Sequence, residues 1–139
     1  MREKERHFID WMLRTAVRRM SQTVGPLVGA LDIGTSSTRF IIFNQKGETV
    51  CAAQQPLKSL HPHPGWVEQC PHEMISCVNS VVDEVSLRLS DLGIVVPGQK
   101  LNSVISSIGI TNQRETSILW DPQTAQPHHN AIGLLLLLS

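Results

Sequence analysis

Residues 29–43 read GALDIGTSSTRFIIF, and this stretch decides the fold. The apolar run VGAL (28–31) leads to Asp32, and a second apolar run, FIIF, occupies residues 40–43. Short apolar runs separated by a Gly-containing polar stretch are typical of two strands joined by a tight turn. We expect one turn to hold the polar residues from Asp32 to Arg39.

A third extended run continues this pattern. NQKG (44–47) is a polar turn closing on a glycine, and ETVCAAQQPL (48–57) follows it. Three strands joined by two tight turns predict an antiparallel meander. HPHPGW (61–66) contains two prolines, which exclude a helix and predict an ordered loop.

Helical periodicity begins at Pro71. Apolar residues then recur at spacings of three and four: Met74, Val78, Val81, Val82, Val85, Leu89 and Leu92. This spacing predicts one helix with a single buried face, beginning at Pro71 and ending near Gly93.

Two further strands are predicted after the helix. SVISSIGI (103–110) has the composition of a buried strand, and SILW (117–120) that of another. TNQRET (111–116) and DPQTAQP (121–127) are predicted as a loop and a turn. Strands on both sides of a helix indicate an α/β layer arrangement.

Length and charge limit the classes of function. The chain has 139 residues, with 12 basic residues balancing 12 acidic ones, so nothing in the charge indicates a nucleic-acid partner. The three cysteines have no zinc-ligand spacing, which favours a reducing compartment and a cytoplasmic location. No apolar stretch approaches the roughly 20 residues of a transmembrane helix.

Residues 1–24 form a separate N-terminal extension in this interpretation. They can be wound into an Arg-rich amphipathic helix, which fits a dispensable or partner-facing segment. Contact with a membrane surface or targeting, including mitochondrial association, is the alternative. Gly25 and Pro26 break the helix, so the ordered body is expected to begin there.

The first turn has the chemistry of a phosphate site. Asp32 offers a carboxylate of the kind that Mg²⁺ takes together with water and phosphate, and Arg39 offers a permanently charged fork. Gly34 lets the backbone approach a ligand closely. Hydroxyl groups beside main-chain N–H groups can form an anion-binding nest, and the turn supplies them from Thr35, Ser36, Ser37 and Thr38. The alternative is an ordinary hairpin whose hydroxyls cap the turn.

A second polar pair follows the later strand. Arg114 and Glu115 are adjacent between two apolar runs, and together they can clamp neighbouring hydroxyls of a small polyol. A structural ion pair across the loop is the alternative interpretation.

Four segments together resemble one protein family. GALDIGTSSTRF (29–40), PGWVEQ (64–69), GITNQRET (109–116) and NAI (130–132) are similar, in this order, to the start of the glycerol kinases of the FGGY carbohydrate kinase family. The resemblance covers residues from about 25 to 133. Within it, the first segment is most similar to animal sequences. The implied fold is the ribonuclease-H-like domain of the actin-like ATPases, here an incomplete N-terminal half.

The resemblance implies a role for each residue of the first turn. Thr35, Ser36 and Ser37 would contact the phosphates of ATP or ADP, and Arg39 would bind the nucleotide. Asp32 would help to position Mg²⁺ through water.

It also implies the substrate and the reaction. Arg114 and Glu115 would hold the glycerol hydroxyls, and Thr35 would also touch the phosphate of the product. The reaction implied by the resemblance is the ATP-dependent phosphorylation of glycerol to sn-glycerol 3-phosphate. The resemblance also implies that the intact enzyme can form a homo-oligomer. In the family the general base is an Asp beyond the end of this sequence, so no catalytic residue is assigned and the chain alone is expected to be inactive.

The sequence departs from the family pattern in several places, including PHHN (127–130), where an aromatic residue is usual before Asn130. Ile33 stands where a Gln is common, Cys70 replaces the usual Asp before Pro71, and residues 134–139 form an atypical Leu-rich tail. The tail favours a divergent splice product, a truncated gene prediction or a frame shift. Two alternatives to a glycerol kinase portion stay open: a fragment of another FGGY sugar kinase, and a non-catalytic interaction or regulatory fragment that pairs with full-length subunits.

Overall fold

The structure is a computed structural model, and it describes residues 25–96 and 98–133. The predicted N-terminal extension, residues 1–24, and the Leu-rich tail, residues 134–139, lie outside the described residues. The predicted α/β architecture is confirmed. The described part contains six strands and one α-helix: β1 Leu27–Ile33, β2 Ser37–Phe43, β3 Thr49–Pro56, β4 Glu68–Gln69, α1 Pro71–Asp91, β5 Ile105–Asn112 and β6 Ala131–Ile132. A short 3-10 helix, Leu101–Ser103, precedes β5.

The first three strands form the predicted antiparallel meander. β1 pairs with β2, and β2 pairs with β3. The turn between β2 and β3 is held by Asn44, whose Oδ1 accepts hydrogen bonds from the backbone N–H groups of Lys46 and Glu48. Gly47 takes a positive φ of 77° here, a conformation that other residues rarely adopt.

After β3 the chain passes through α1 and returns to the sheet as β5, which pairs with β1 as a parallel strand. The strand order is β3-β2-β1-β5, with β5 parallel to β1 at the edge of the sheet. Parallel strands have their carboxyl ends on the same side of the sheet. Ile33, the last residue of β1, is accordingly the register partner of Asn112, the last residue of β5. The loops that follow β1 and β5 are therefore neighbours.

Helix α1 covers one half of one sheet face. Its buried residues are Cys77, Val81, Val85 and Leu89. The last three belong to one core cluster with Leu31, Phe40 and Ile42 of the sheet. Cys77 was absent from the predicted apolar set, and Leu92, which belonged to it, is exposed because it lies just past the end of the helix. Burial raises the pKa of the Cys77 thiol above its ordinary value, and Glu73 adds to this effect.

The prediction that residues 103–110 form a buried strand is half right. β5 exists, but only its first residue, Ile105, is buried, and Ile110 is 69% exposed. The physical reason is position: β5 is an edge strand, while α1 packs over β2 and β3.

The predicted strand SILW (117–120) is wrong. Within residues 25–96 and 98–133, Ser117 and Trp120 make isolated bridges, to Ile132 and Pro127, instead of a strand ladder. The predicted turn that follows is present. Backbone hydrogen bonds from Thr124 and Gln123 hold the pKa of the Asp121 carboxyl below its usual range.

Within the described ranges, no helix is long and apolar enough to cross a membrane.

Candidate functional site

The hairpin between β1 and β2 is tighter than the sequence predicts. Its tip is Gly34–Ser36, and the Gly34 N–H donates to the Ser37 carbonyl across 3.0 Å. Asp32 lies inside β1, and residues 37–39 lie inside β2. The prediction of one turn from Asp32 to Arg39 is therefore wrong in its bounds, because the ladder continues up to the tip.

Strand alternation divides the polar residues between the two faces of the sheet. Asp32 is the register partner of Arg39, and their side chains lie on the face away from α1. Thr38 opposes Ile33 on the face that α1 covers, and its side chain is 0% exposed. Its hydroxyl has no hydrogen-bond partner. Thr38 therefore cannot contribute its hydroxyl to an anion-binding nest, contrary to the sequence interpretation.

The remaining hydroxyl residues differ in exposure. Thr35 and Ser36 are exposed at the tip, and Arg39 is exposed beside them. Ser37 is buried as the first residue of β2. The tip thus presents two exposed hydroxyl side chains, and an exposed guanidinium group lies three residues further along the chain.

The backbone carbonyl groups of all three tip residues accept hydrogen bonds from other parts of the chain. Gly34 O accepts from Gln113 Nε2 at 2.9 Å, and Thr35 O accepts from Gln69 Nε2 at 2.5 Å. Ser36 O accepts from the backbone N–H of Leu57 at 2.9 Å. These bonds fix the orientation of three successive peptide groups.

The second predicted pair, Arg114 and Glu115, lies at the same edge of the sheet. Both residues are exposed in the turn that directly follows β5, next to the end of β1. The Gln113 contact with Gly34 ties this turn to the hairpin tip. No ion pair joins Arg114 to Glu115 in the described part of the chain, so the ion-pair interpretation of this loop receives no support.

Sequence reasoning missed two buried polar residues of β4. Glu68 and Gln69 of β4 are 4% and 3% exposed, and Glu68 accepts a hydrogen bond from Asn130 Nδ2 at 2.9 Å. Gln69 Oε1 accepts from Gln113 Nε2 at 2.8 Å. The available signal was the polar pair Glu68-Gln69 directly after Val67, in a segment that supported only the family resemblance.

The donor set fits Mg²⁺ in one way only. Asp32 supplies one half-buried carboxylate beside the hairpin, and no group of three or more candidate metal ligands occurs among residues 25–96 and 98–133. Mg²⁺ commonly keeps several waters and takes one or two carboxylates together with phosphate oxygens. The residues therefore fit a cation held mainly by water and phosphate, and they do not fit an all-protein cage.

Comparison with known families gives a match over most of the chain. Residues 27–134 match the N-terminal domain of the FGGY family of carbohydrate kinases. The probable glycerol kinase of Dictyostelium discoideum is 46% identical over 107 residues, which cover 77% of this chain and 19% of that protein. The chain therefore spans about a fifth of the length of the curated relatives that it matches.

Comparison with solved structures agrees with this result. The crystal structure of Plasmodium falciparum glycerol kinase with ADP superimposes with a TM-score of 0.69 at 29% identity, covering 78% of this chain and 20% of that one. The xylulose kinase of Rhodospirillum rubrum has a TM-score of 0.65 at 24% identity, covering 77% of this chain and 20% of that one, and supports the fold alone. The expected fold of the actin-like ATPases is confirmed for the described part.

Proposed function

Because the chain belongs to the FGGY family of carbohydrate kinases, we propose that it forms the N-terminal part of an enzyme that phosphorylates glycerol with ATP. One observation carries the proposal. The hairpin tip and the Arg114–Glu115 turn, which are 79 residues apart at Gly34 and Gln113, lie at one edge of the sheet and are joined by a hydrogen bond. Ligands of open α/β sheets commonly bind just outside the carboxyl ends of the strands. Both loops lie at such ends, one after β1 and the other after β5.

The nucleotide end of the proposed site is the hairpin. Thr35, Ser36 and Ser37 would contact the phosphates of ATP or ADP through main-chain N–H groups and hydroxyls. Arg39, exposed on the adjoining strand, would add a charged fork suited to phosphate. Asp32, its register partner, would orient water on a phosphate-bound Mg²⁺.

The glycerol end of the proposed site is the turn after β5. Arg114 offers several fixed donors and Glu115 offers acceptors, so the pair can bind two neighbouring hydroxyls. Both are exposed and have no partner holding them away from a ligand in the described part. Thr35 at the tip would also contact the phosphate group of the product after its transfer to glycerol.

In this reaction the protein mainly positions groups and neutralises charge. Phosphoryl transfer passes through a transition state with charge spread over the phosphoryl oxygens. The main-chain N–H groups of the tip and the Arg39 guanidinium are the groups of this chain that can stabilise that charge. Mg²⁺, when bound, would further neutralise the phosphates.

The functions of the relatives favour glycerol over a sugar as the substrate. The Dictyostelium relative at 46% identity is a probable glycerol kinase, and the structural neighbour at 29% identity is a glycerol kinase with ADP bound. The xylulose kinase supports the fold only. A pentulose therefore serves as the competing substrate in the test.

Location and assembly remain part of the proposal. Cys51, Cys70 and Cys77 are all free thiols, which fits a reducing compartment such as the cytoplasm. Self-association of the intact enzyme and an association with mitochondria stay predictions from the sequence.

The test uses a full-length chimeric enzyme, called the full-length carrier below, because the chain matches only about a fifth of the length of its relatives. In the Dictyostelium relative, the matching segment is replaced by residues 27–132, from β1 to β6. ADP release is measured with ATP, Mg²⁺ and either glycerol or xylulose. We expect turnover with glycerol, and Arg114→Ala to raise the KM for glycerol at least about tenfold.

Arg88→Ala is the matched control, since Arg88 is an exposed arginine on α1 that pairs with Glu84. It is expected to leave the KM for glycerol unchanged. Absence of glycerol-dependent ADP release, or a preference for xylulose, would contradict the proposed function.

A further inference from the structure

We infer that Gln69 and Gln113 are positioning residues that orient the backbone of the hairpin tip for phosphate binding. The inference rests on the proposed function. It concerns two side chains that contact neither the nucleotide nor glycerol in the roles given above. They act through the peptide groups of residues 34–36.

The argument begins with the geometry of the peptide bond. In a trans peptide the C=O of one residue and the N–H of the next point in opposite directions. Gln113 holds Gly34 O and Gln69 holds Thr35 O, so the N–H groups of Thr35 and Ser36 point away from the two glutamines. Thr35 and Ser36 are both exposed, so an anion has access to the tip.

The polarity of the two amides is fixed by the rest of the network. Gln113 Nε2 donates both to Gly34 O and to Gln69 Oε1, at 2.9 and 2.8 Å. Gln113 Oε1 accepts from the Thr116 hydroxyl at 2.9 Å. A flipped Gln113 amide would place oxygen against two oxygens and face a hydroxyl with its NH₂ group. Only one arrangement satisfies every member, so the tip is held in one orientation.

Burial strengthens this arrangement. Gln69 is 3% exposed, so water cannot replace its hydrogen bonds if a partner is lost. Gln113 also directly precedes Arg114, so the same side chain anchors the proposed phosphate hairpin and the start of the proposed glycerol turn. A change at Gln113 is therefore expected to alter the geometry at which the two substrates meet.

The primary test is Gln113→Glu in the full-length carrier. Glutamate has nearly the same shape but no N–H to donate, so it places a carboxylate against Gly34 O and Gln69 Oε1. We expect the KM for ATP to rise about tenfold or more, because the N–H groups of the tip lose their fixed direction. Gln123→Glu, the same chemical change in the exposed 121–127 loop, is the control and is expected to leave the KM for ATP unchanged.

A second variant serves where Gln113→Glu prevents folding. Thr116→Val removes only the hydroxyl that fixes the Gln113 amide, and Thr116→Ser keeps that hydroxyl. We expect the KM for ATP to rise in Thr116→Val and to rise less in Thr116→Ser. A merely structural role would lower the amount of folded enzyme, and with it kcat, without changing the KM for ATP. An unchanged KM for ATP in folded Gln113→Glu or in Thr116→Val would overturn the inference.

A measurement without substrate separates this inference from the proposed function. In the 139-residue chain, carbonyl ¹³C shifts of Gly34 and Thr35 report the two hydrogen bonds. We expect the Gly34 signal to move in Thr116→Val and to stay in Gln123→Glu. If the carrier fails to phosphorylate glycerol, the proposed function is overturned, and the carbonyl shifts alone decide whether the glutamines hold the tip. Unmoved carbonyl shifts would overturn the inference even in an active enzyme.

Discussion

Asp32 on β1 and Arg39 on β2 are directly opposed register partners on the sheet face that α1 leaves open. Opposite charges at opposed positions of two strands contribute only roughly 0.2–1 kcal/mol to stability. The fold therefore depends little on this pair. Both side chains are therefore available to a ligand next to the hairpin tip, where β1 ends.

A substitution of Arg39 should consequently affect function more than folding. We expect Arg39→Gln to change the free energy of unfolding by less than about 1 kcal/mol and to raise the KM for ATP at least about tenfold in the full-length carrier. Urea unfolding and steady-state kinetics measure the two effects. Arg88→Gln on α1 is the control and should change neither the KM for ATP nor kcat. A large loss of stability with an unchanged KM would show that Arg39 has a structural role instead.

Thr38 is next to Arg39 in sequence but on the other face of the sheet. Its buried hydroxyl has no hydrogen-bond partner, and such a group costs free energy on folding. We expect Thr38→Val, which replaces the hydroxyl by a methyl group of similar size, to stabilise the chain by about 1 kcal/mol. Thr38→Ser keeps the hydroxyl and removes the methyl, and should destabilise it by about 1 kcal/mol. Equal urea midpoints for the two variants would contradict this account.

The contrast between Thr38 and Arg39 shows what the sequence could predict. Apolar runs and polar turns predicted β1, β2, β3 and α1, since each of these elements depends on local periodicity. The bounds of the hairpin were beyond this reasoning, because the hydroxyl-rich residues 37–39 have no apolar alternation to show that they continue the strand. Once the register is known, the face of each side chain follows.

Long-range contacts account for the other differences. Gln69 and Gln113 meet across 44 residues of sequence, and nothing local in either segment identifies the other as its partner. The exposure of β5 follows from its place at the edge of the sheet, which the composition of residues 103–110 does not reveal. The site residues proposed from sequence came from chemistry-bearing residue types, whereas the residues that hold them in place became visible only in the structure.

Gly29 offers a test of the packing beneath the hairpin. A Cβ added at Gly29 would lie 2.7 Å from Cε2 of Phe40 and 3.0 Å from its Cζ. The Phe40 ring is 1% exposed and belongs to the core, so it has little room to move. We expect Gly29→Ala to lower the free energy of unfolding by roughly 1–3 kcal/mol.

The neighbouring strand supplies the control for this substitution. Gly109 of β5 is the register partner of Ala30, and a Cβ added there meets nothing within 4 Å. Gly109→Ala should therefore be neutral or stabilising in the same urea experiment, since it only restricts the unfolded chain. Equal losses of stability in the two variants would show that the ring of Phe40 is not the cause.

The beginning of α1 provides the last prediction. Cys70 has the extended backbone of an N-cap residue, with φ −76° and ψ 118°, and its carbonyl accepts the first helical hydrogen bond from Met74. Its side chain makes no capping hydrogen bond. An aspartate there would accept from the free N–H groups of the first turn and would also interact favourably with the helix dipole.

We expect Cys70→Asp to raise the free energy of unfolding by about 1 kcal/mol at pH 7. Urea unfolding followed by circular dichroism at 222 nm measures the change. Cys70→Ala is the control: because the thiol caps nothing, alanine should leave stability close to that of the parent chain. If Cys70→Asp is no more stable than Cys70→Ala, the helix does not depend on a cap at this position, and the departure from the family pattern there has no energetic consequence.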